Sequence, residues 1–229
     1  MATGDQALHE QALREQLVHH ATRLRPLGLA TGTSGNLSVR TGAGPHGGML
    51  ITPSGIAYDT LRPQDIVALV FTGPGTARWQ HALDPSSEWL MHQAVYQARP
   101  EAGAVVHGHP TYATVLAIQG LEIPALHYMV AAAGGAPIRC APYHTYGTAA
   151  LSQAAVAALA GRKACLLAHH GLLAFEHDLA KAMWLAGEVE TLAQQLVMCL
   201  ALGGPKLLPA AEIALVVGKF SHYGLKTAP

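Results

Sequence analysis

Charged residues are scarce in this sequence, and the two signs balance. They make up 12% of the chain, with 14 lysines and arginines against 14 aspartates and glutamates. A chain without a basic excess generates no field that would attract nucleic acid or anionic lipid. The composition therefore argues against a nucleic-acid or membrane partner and favours a small molecule.

Cysteines are few, and long apolar runs are absent. Cys140, Cys165 and Cys199 are widely separated and show no Cys-x-x-Cys spacing, so we expect small core residues rather than a disulfide framework. No apolar stretch approaches membrane-spanning length. The first residues carry Asp5 and Glu10, which is unlike a signal peptide. These features predict a cytoplasmic protein.

Hydrophobic residues and histidines are plentiful. Half of the 229 residues are hydrophobic, which predicts a substantial core in a single domain spanning residues 1–229 and suggests further burial in an oligomer. Histidine also numbers 14, as many as either charge class. An imidazole excess in a weakly charged chain points to metal chemistry, although several of these histidines belong to the surface.

The order of predicted elements indicates the fold class. Helices are predicted over residues 5–25, 86–98, 110–119, 148–160, 178–200 and 210–224. Strands are predicted over residues 36–40, 49–52, 66–71, 103–106, 138–143, 164–168 and 171–175. The helix over 86–98 would be capped by Ser86 or Ser87 and would bury Leu90, Ala94 and Val95. Without regular strand–helix–strand spacing, this pattern predicts an α/β protein with a mainly antiparallel sheet covered by helices.

Two pairs of histidines follow hydrophobic strands. In "VVHGHPTYAT", His107 and His109 are two positions apart and would point to the same side. In "LLAHHGLLAF", only one of His169 and His170 can share the face that points to a metal. Each segment taken alone also fits ordinary hydrogen-bonded histidines, so the alternatives of a catalytic metal site and a structural role stay open here.

Polar residues in three other segments complete the candidate site. Glu88, in "DPSSEWLMH", fits either a helix cap or a metal-side acid or base. "GTSGNLSVR" and "ITPSGIAYDTL" are turns of the kind that form anion nests, although glycine- and serine-rich turns also commonly connect strands in sheet proteins. With Ser86 and Ser87 at a helix start, the three segments could bind a phosphate without lysine or arginine.

These segments, together with "IPALHYMVAAAGGAPIRCAPYHTYGT" and "KACLLAHHGLLAFE", resemble the class II aldolase/adducin family. The resemblance runs from the first helix to "GKFSHYGLK" and includes four separated blocks in matching order. It implies a three-layer α/β/α fold with a mainly antiparallel central sheet and a zinc-dependent aldolase. It also implies a homotetramer with active sites at subunit interfaces.

The resemblance assigns roles to particular residues. It implies zinc ligation by His107, His109 and His170, with Glu88 as the acid or base that can also hold the metal. Tyr128 would reach a neighbouring subunit's site and Tyr223 would lie at the aldehyde end, although either tyrosine also fits an ordinary core or interface role. The implied phosphate-binding residues are Ser34, Gly35, Asn36, Ser54, Gly55, Ser86 and Ser87.

The expected reaction is cleavage of a ketose 1-phosphate of the L-fuculose 1-phosphate type into dihydroxyacetone phosphate and a short aldehyde, through a metal-stabilised enediolate. None of the five lysines lies in an apolar strand centre, where an imine-forming lysine would be expected, so the metal route is favoured. Another divalent ion could replace Zn²⁺. Alternatives are an aldolase for 5-deoxyribulose or methylthioribulose 1-phosphate, a related epimerase or decarboxylase, a zinc hydrolase, and a non-catalytic scaffold relative.

Overall fold

The structure, a computed structural model, describes residues 4–42 and 47–220. The strands within those ranges are β1 (Asn36–Thr41), β2 (Gly48–Ile51), β3 (Val67–Gly73), β4 (Thr76–Arg78), β5 (Ala104–Gly108), β6 (Cys140–Ala141), β7 (Ala164–Leu167) and β8 (Gly171–Glu176). The α-helices are α1 (Gly4–Arg23), α2 (Trp89–Ala98), α3 (Thr111–Ile118), α4 (Ala149–Ala158), α5 (Leu179–Ala201) and α6 (Ala210–Phe220). Short 3₁₀ helices cover Tyr58–Thr60, Pro63–Asp65 and Tyr128–Ala133. Of the helices in these two ranges, none has the length and apolarity needed to cross a membrane.

All eight strands join one sheet in the order β4-β3-β2-β1-β5-β8-β7-β6. Neighbouring strands pair antiparallel, except that β6 and β7 are parallel. The exception follows from connectivity, because α4 crosses between these two strands and returns the chain in the same direction. The prediction of a mainly antiparallel sheet in an α/β protein is therefore confirmed, with one parallel pair at the edge.

The central strand β5 contributes side chains to two separate hydrophobic clusters. Val106 belongs to a cluster that includes residues of α1, α3 and α5, whereas Val105 belongs to a cluster that includes residues of α2 and α4. Both side chains are fully buried. Because alternate residues of a strand point to opposite faces, both faces of the sheet are covered. The sheet centre is thus shielded from water, and polar side chains placed there meet each other rather than solvent.

Two predicted elements differ from the structure near the sheet edges. The strand expected over 138–143 is reduced to Cys140–Ala141, because Pro142 has no N–H to donate to a neighbouring strand. The hairpin strand β4 and the 3₁₀ helix Tyr128–Ala133 were not predicted. Short elements of this kind carry too few residues for a periodic pattern to develop.

Helix α2 differs in its start and its buried face. It begins at Trp89, and no side chain caps its first turn. Of the three residues expected to be buried, Val95 is buried, whereas Leu90 and Ala94 are only partly buried. The helix instead turns His92 and Tyr96 toward the polar face of β1, and both are completely enclosed. The buried face of α2 is therefore rotated from the predicted stripe, and it includes a polar row beside Met91 and Val95.

The three cysteines are free, as expected, but only Cys165 is a core residue. Cys140 and Cys199 are partly exposed, contrary to the prediction that all three pack in the core. Cys140 lies on the edge strand β6, and Cys199 lies in the last turn of α5, so neither is enclosed by neighbouring elements.

Candidate metal centre and adjoining cavity

The imidazoles of His107, in β5, and of His109, directly after it, meet at one point. β5 lies between β1 and β8, and Gly108 leaves no room for a Cβ atom because the chain at Leu29 passes directly over it. The Nε2 atoms of His107 and His109 lie 3.0 Å apart. The prediction that both side chains point to the same side is confirmed. His107 is completely buried, and its Nδ1 donates to the carbonyl of Leu172 over 2.8 Å, which directs Nε2 into the site.

The turn between β7 and β8 adds the third imidazole. The ring centroid of His170 lies 4.7 Å from that of His107 and 4.8 Å from that of His109. The neighbouring His169 adopts a left-handed backbone conformation with φ of 54° and faces Tyr143, at a centroid distance of 5.9 Å. The two adjacent histidines therefore diverge, and the structure brings His170, not His169, into contact with the pair on β5.

Glu88 lies one residue before α2, and its carboxylate faces the three imidazoles. Its Oε2 lies 3.0 Å from Nε2 of His107, and its Oε1 lies 3.4 Å from Nε2 of His170. The side chain makes no capping hydrogen bond, so the interpretation of Glu88 as a helix cap is wrong. Oε1 is buried without a hydrogen-bond partner among the described residues, and such an atom calls for a ligand or ion.

The charges of these groups depend on one another. Burial opposes ionisation of Glu88, but the facing imidazoles of His107 and His170 outweigh it and hold the pKa of the carboxyl well below its ordinary value. Burial likewise opposes protonation of His107, yet the Glu88 carboxylate raises its pKa. Burial and the charge of His107 lower the pKa of His109 and of His170 to about 4. A single positive charge facing Glu88 therefore balances the negative charge of its carboxylate.

A divalent cation fits this donor set. The candidate ligand atoms of Glu88, His107, His109 and His170 all lie within 4.8 Å of one another. Zinc–nitrogen bonds of about 2.0–2.1 Å would place tetrahedral ligand atoms roughly 3.3 Å apart. The separations of 3.0 Å between His107 and His109, 3.0 Å between His107 and Glu88, and 3.4 Å between His170 and Glu88 are close to this value. The cation would also supply the positive charge that balances the Glu88 carboxylate. Three imidazoles with one carboxylate are typical of a catalytic metal site.

A cavity of about 330 Å³ adjoins the cluster, and the predicted phosphate nest lines it together with Glu88, His109 and His170. Thr52 links the nest's three segments, because its N–H donates to Leu37, its hydroxyl accepts from Leu37 N–H, and its carbonyl accepts from Ser86 N–H. The buried phenol of Tyr58 donates to the carbonyl of Gly35 and steadies the first turn. All seven predicted nest residues line the cavity: Ser34, Gly35, Asn36, Ser54, Gly55, Ser86 and Ser87.

The lining described for this cavity contains no lysine or arginine. An anion bound here would therefore rely on hydroxyl groups, backbone N–H groups and the start of α2. Three nest side chains already have partners. Ser34 Oγ donates to Thr31 within its own turn, the amide of Asn36 contacts Glu88 and His92, and Ser86 Oγ accepts from the N–H of Glu88. The second Nδ2 hydrogen of Asn36 stays available toward the cavity.

Of the two tyrosines expected in the site, Tyr128 does not line the cavity of its own chain. Tyr128 begins the 3₁₀ helix Tyr128–Ala133, is 49% exposed, and stacks against His127 at a centroid distance of 4.6 Å. Tyr223 lies outside the described residues, so its prediction remains untested. The expected function of Tyr128 in a neighbouring subunit likewise stays a prediction.

The cavity also has an aromatic wall that sequence reasoning did not assign. Tyr143, His144 and Tyr146 line it together with His169. Tyr143 and Tyr146 are more than half exposed, at 58% and 64%. Their signal in the sequence is "PYHTYG", an aromatic-rich loop between a short strand and a helix, where functional residues are often found.

Comparisons with known proteins agree with this geometry. The family model for the "Class II Aldolase and Adducin N-terminal domain" matches residues 15–197. The chain belongs to the class II aldolase/adducin family. It is 51% identical over 213 residues to a 5-methylthioribulose-1-phosphate/5-deoxyribulose-1-phosphate aldolase of Rhodospirillum rubrum, covering 93% of each chain. It is 47% identical over 220 residues to an L-fuculose phosphate aldolase of Escherichia coli, covering 96% of this chain and 99% of that one.

A solved structure of an L-fuculose 1-phosphate aldolase superposes with a TM-score of 0.85 at 39% identity, covering 96% of this chain and 98% of that one. The class II aldolase fold expected from the sequence is thereby confirmed. So is the enzyme class, a metal-dependent aldehyde-lyase. The cluster of Glu88 with three histidines supports a divalent metal as its cofactor.

Proposed function

We propose that this class II aldolase cleaves a ketose 1-phosphate of the L-fuculose 1-phosphate type into dihydroxyacetone phosphate and a short aldehyde. One observation supports this most directly: a buried carboxylate and three imidazoles converge beside a cavity that is also lined by an uncharged nest of serines and glycines. The cluster suits a metal that activates a ketone, and the nest suits a phosphate.

The mechanism assigns separate tasks to the nest and to the metal cluster. The nest would hold the phosphate and fix the distance from it to the bond that breaks. His107, His109, His170 and Glu88 would hold a divalent cation, which would supply Lewis acidity at the ketone. The ionised carboxylate of Glu88 would take up a proton from water at Oε1, which has no hydrogen-bond partner, and would then pass it to the carbon that becomes the hydroxymethyl group of dihydroxyacetone phosphate.

The departing aldehyde needs a second proton-transfer group. The hydroxyl on the carbon beyond the breaking bond must lose its proton as the carbonyl forms. We assign this step to Tyr128, contributed by a neighbouring subunit, and place Tyr223 at the same end of the substrate. The 49% exposure of the Tyr128 side chain supports a contact outside its own chain.

We compare two groups of substrates: L-fuculose 1-phosphate, and the 5-deoxy and 5-methylthio pentulose phosphates. A relative named for each group matches this chain over nearly its full length. L-Fuculose 1-phosphate would release lactaldehyde, 5-deoxyribulose 1-phosphate would release acetaldehyde, and 5-methylthioribulose 1-phosphate would release methylthioacetaldehyde. All three would release the same phosphorylated ketone. Trapping the aldehyde and identifying it by mass spectrometry therefore distinguishes the substrates, and kcat/KM ranks them. If the sugar phosphates were consumed and no aldehyde were released, the result would contradict the proposal and favour an epimerase or decarboxylase.

The metal site is tested by a matched pair of neighbouring histidines. His170→Ala removes a proposed ligand, whereas His169→Asn changes the adjacent residue and keeps a side chain that tolerates its left-handed backbone. We expect one equivalent of metal in the parent and in His169→Asn, and a large loss in His170→Ala. Metal analysis of the purified proteins measures this. Full metal content in His170→Ala would remove the basis of the proposal.

We propose Zn²⁺ as the resident ion, because three imidazoles and one carboxylate form a borderline-soft donor set. Activity should disappear on treatment with a chelator and should return best with Zn²⁺ among added divalent ions. A non-catalytic scaffold would hold no stoichiometric metal. A zinc hydrolase would release a water-derived product and no dihydroxyacetone phosphate.

The assembly and the remaining family features are part of the same proposal. We propose a homotetramer with interface active sites, a single domain over residues 1–229 in three layers, and a cytoplasmic location. Light scattering measures the mass of the assembly and so tests the proposed tetramer. Mixing inactive Glu88→Gln subunits with inactive Tyr128→Phe subunits should restore part of the activity, because some sites then receive both native residues. No recovery in mixed tetramers would contradict the contribution of Tyr128 from a neighbouring subunit.

A further inference from the structure

Five buried polar side chains form a continuous hydrogen-bonded chain behind the metal cluster. Tyr96 Oη lies 2.7 Å from Ser38 Oγ, which lies 2.7 Å from Nδ1 of His92. Nε2 of His92 lies 2.6 Å from Oδ1 of Asn36, whose Nδ2 donates to Oε2 of Glu88 over 3.1 Å. None of the five residues is more than 6% exposed. The chain therefore runs from Tyr96, Ser38 and His92, which are enclosed in the interior, to Asn36 and Glu88 at the wall of the cavity.

The direction of every hydrogen bond in this chain follows from its last member. An ionised carboxylate only accepts, so the amide nitrogen of Asn36 must face Glu88 and the amide oxygen must face His92. Nε2 of His92 must then carry the hydrogen. Nδ1 of the neutral ring accepts from Ser38, and Ser38 in turn accepts from Tyr96. Complete burial lowers the pKa of His92 to about 3, in keeping with a neutral ring.

Secondary-structure periodicity accounts for the alignment. Glu88 lies one residue before α2, and Glu88, His92 and Tyr96 are spaced four residues apart, so they lie along one side of this helix. Asn36 and Ser38 are two residues apart on β1 and point to the same face of the sheet. The two rows therefore lie opposite each other, and each member of one row contacts a member of the other.

The chain acts on one oxygen of Glu88 and leaves the other for chemistry. Asn36 and His107 both approach Oε2, whereas Oε1 has no hydrogen-bond partner. Were the Asn36 amide reversed, its oxygen would face the carboxylate and repel it. His92 prevents this reversal, because its Nε2–H requires an acceptor.

Resting on the proposed function, we propose that His92 is a positioning residue for catalysis: by donating to Asn36, it orients the amide that holds the Glu88 carboxylate. Ser38 and Tyr96 accommodate this tautomer, because Ser38 can donate to Nδ1 of His92 while accepting from Tyr96. Groups that orient a ligand or base from behind commonly affect metal affinity or activity by about 10–100-fold when removed. His92 touches neither substrate nor metal, so its effect should fall on kcat and metal affinity and not on binding of the sugar phosphate.

A pair of amide variants separates the two ring nitrogens. In His92→Gln, the side-chain amide nitrogen can occupy the place of Nε2 and keep the donation to Asn36. In His92→Asn, the shorter amide lies near the place of Nδ1 and reaches only Ser38. We expect His92→Asn to lower kcat and weaken Zn²⁺ binding by about 10–100-fold, with KM changed by less than about threefold. His92→Gln should recover most of both losses.

A spectroscopic measurement on metal-free protein tests the orientation itself. Long-range ¹H–¹⁵N correlation in histidine-labelled protein should show His92 as the neutral Nε2–H tautomer. The Nδ1–H tautomer would overturn the proposal. Equal losses of kcat and Zn²⁺ affinity in both variants would also overturn it, since they would indicate a packing role only. If the parent cleaves none of the ketose phosphates, the proposed function fails, while the tautomer and the Zn²⁺ affinities still decide the positioning role.

Discussion

The buried imidazole of His92 should make the stability of the metal-free protein depend on pH in a specific way. Its pKa is about 3 in the folded protein, against an ordinary value of 6.5. As the pH falls below 6.5, the unfolded chain takes up a proton on this ring and the folded protein does not. The contribution of the neutral ring to stability is therefore fully present above pH 6.5 and is lost progressively as the pH falls toward 3.

The size of this effect follows from the two pKa values. By pH 5, about 2 kcal/mol of unfolding free energy is lost through this single ring, and the complete loss near pH 3 is about 5 kcal/mol. Replacement by glutamine removes the titrating group and keeps a polar side chain at the site. The difference in unfolding free energy between pH 7.5 and pH 5 should therefore be about 2 kcal/mol smaller in His92→Gln than in the parent.

Urea unfolding, followed by circular dichroism in the presence of a chelator, measures this difference. Protein concentration must be the same in all experiments, because dissociation of an oligomer would otherwise shift the transition. His109 and His170 titrate in both proteins, so their contributions cancel in the comparison. If the parent and His92→Gln lose stability equally between pH 7.5 and pH 5, the ring is not held neutral in the folded protein and the reasoning is wrong.

Three further substitutions test the supports of the site. Gly171→Ala would place a Cβ atom 2.8 Å from the ring of His109, so bound zinc should decrease and urea unfolding should show a loss of about 1–3 kcal/mol. Glu190 accepts two backbone N–H groups at the start of α3, over 2.9 and 2.8 Å. In Glu190→Gln, the amide oxygen can accept from one of these N–H groups, but the amide nitrogen would face the other N–H as a second donor. The free energy of unfolding should therefore fall by about 1–3 kcal/mol. Tyr58→Phe removes the hydrogen bond to the Gly35 carbonyl, so inorganic phosphate should inhibit less strongly while bound metal stays unchanged. Normal zinc content in the first variant, unchanged unfolding in the second or unchanged phosphate inhibition in the third would contradict the respective argument.

Much of the fold could be predicted, because its longest elements have strong local patterns. The helix predicted over 178–200 is found at Leu179–Ala201, and the strands flanking the second histidine pair were located within one residue. The predictions that failed concerned a short strand and a polar helix face. The strand over 138–143 ended early at a proline, and α2 buried a polar row that an apolar-stripe argument does not detect.

The sequence by itself determined the residue types and the side on which each local pair would point. His107 and His109 had to share a side because a strand alternates, and one of His169 and His170 had to be excluded for the same reason. The motif blocks also identified the family. These conclusions depend only on spacing along the chain, which the backbone conformation of a single element converts into direction.

Only the tertiary structure decided which groups meet. The Glu88 carboxylate reaches His107 across 19 positions of sequence and His170 across 82, and whether it capped its helix or faced the metal cluster depended on how α2 packs on β1. The chain through Asn36, Ser38 and His92 likewise has no local signature, because its two rows belong to separate elements. Distances between distant segments arise from packing of the whole core, and no periodic pattern within one segment encodes them.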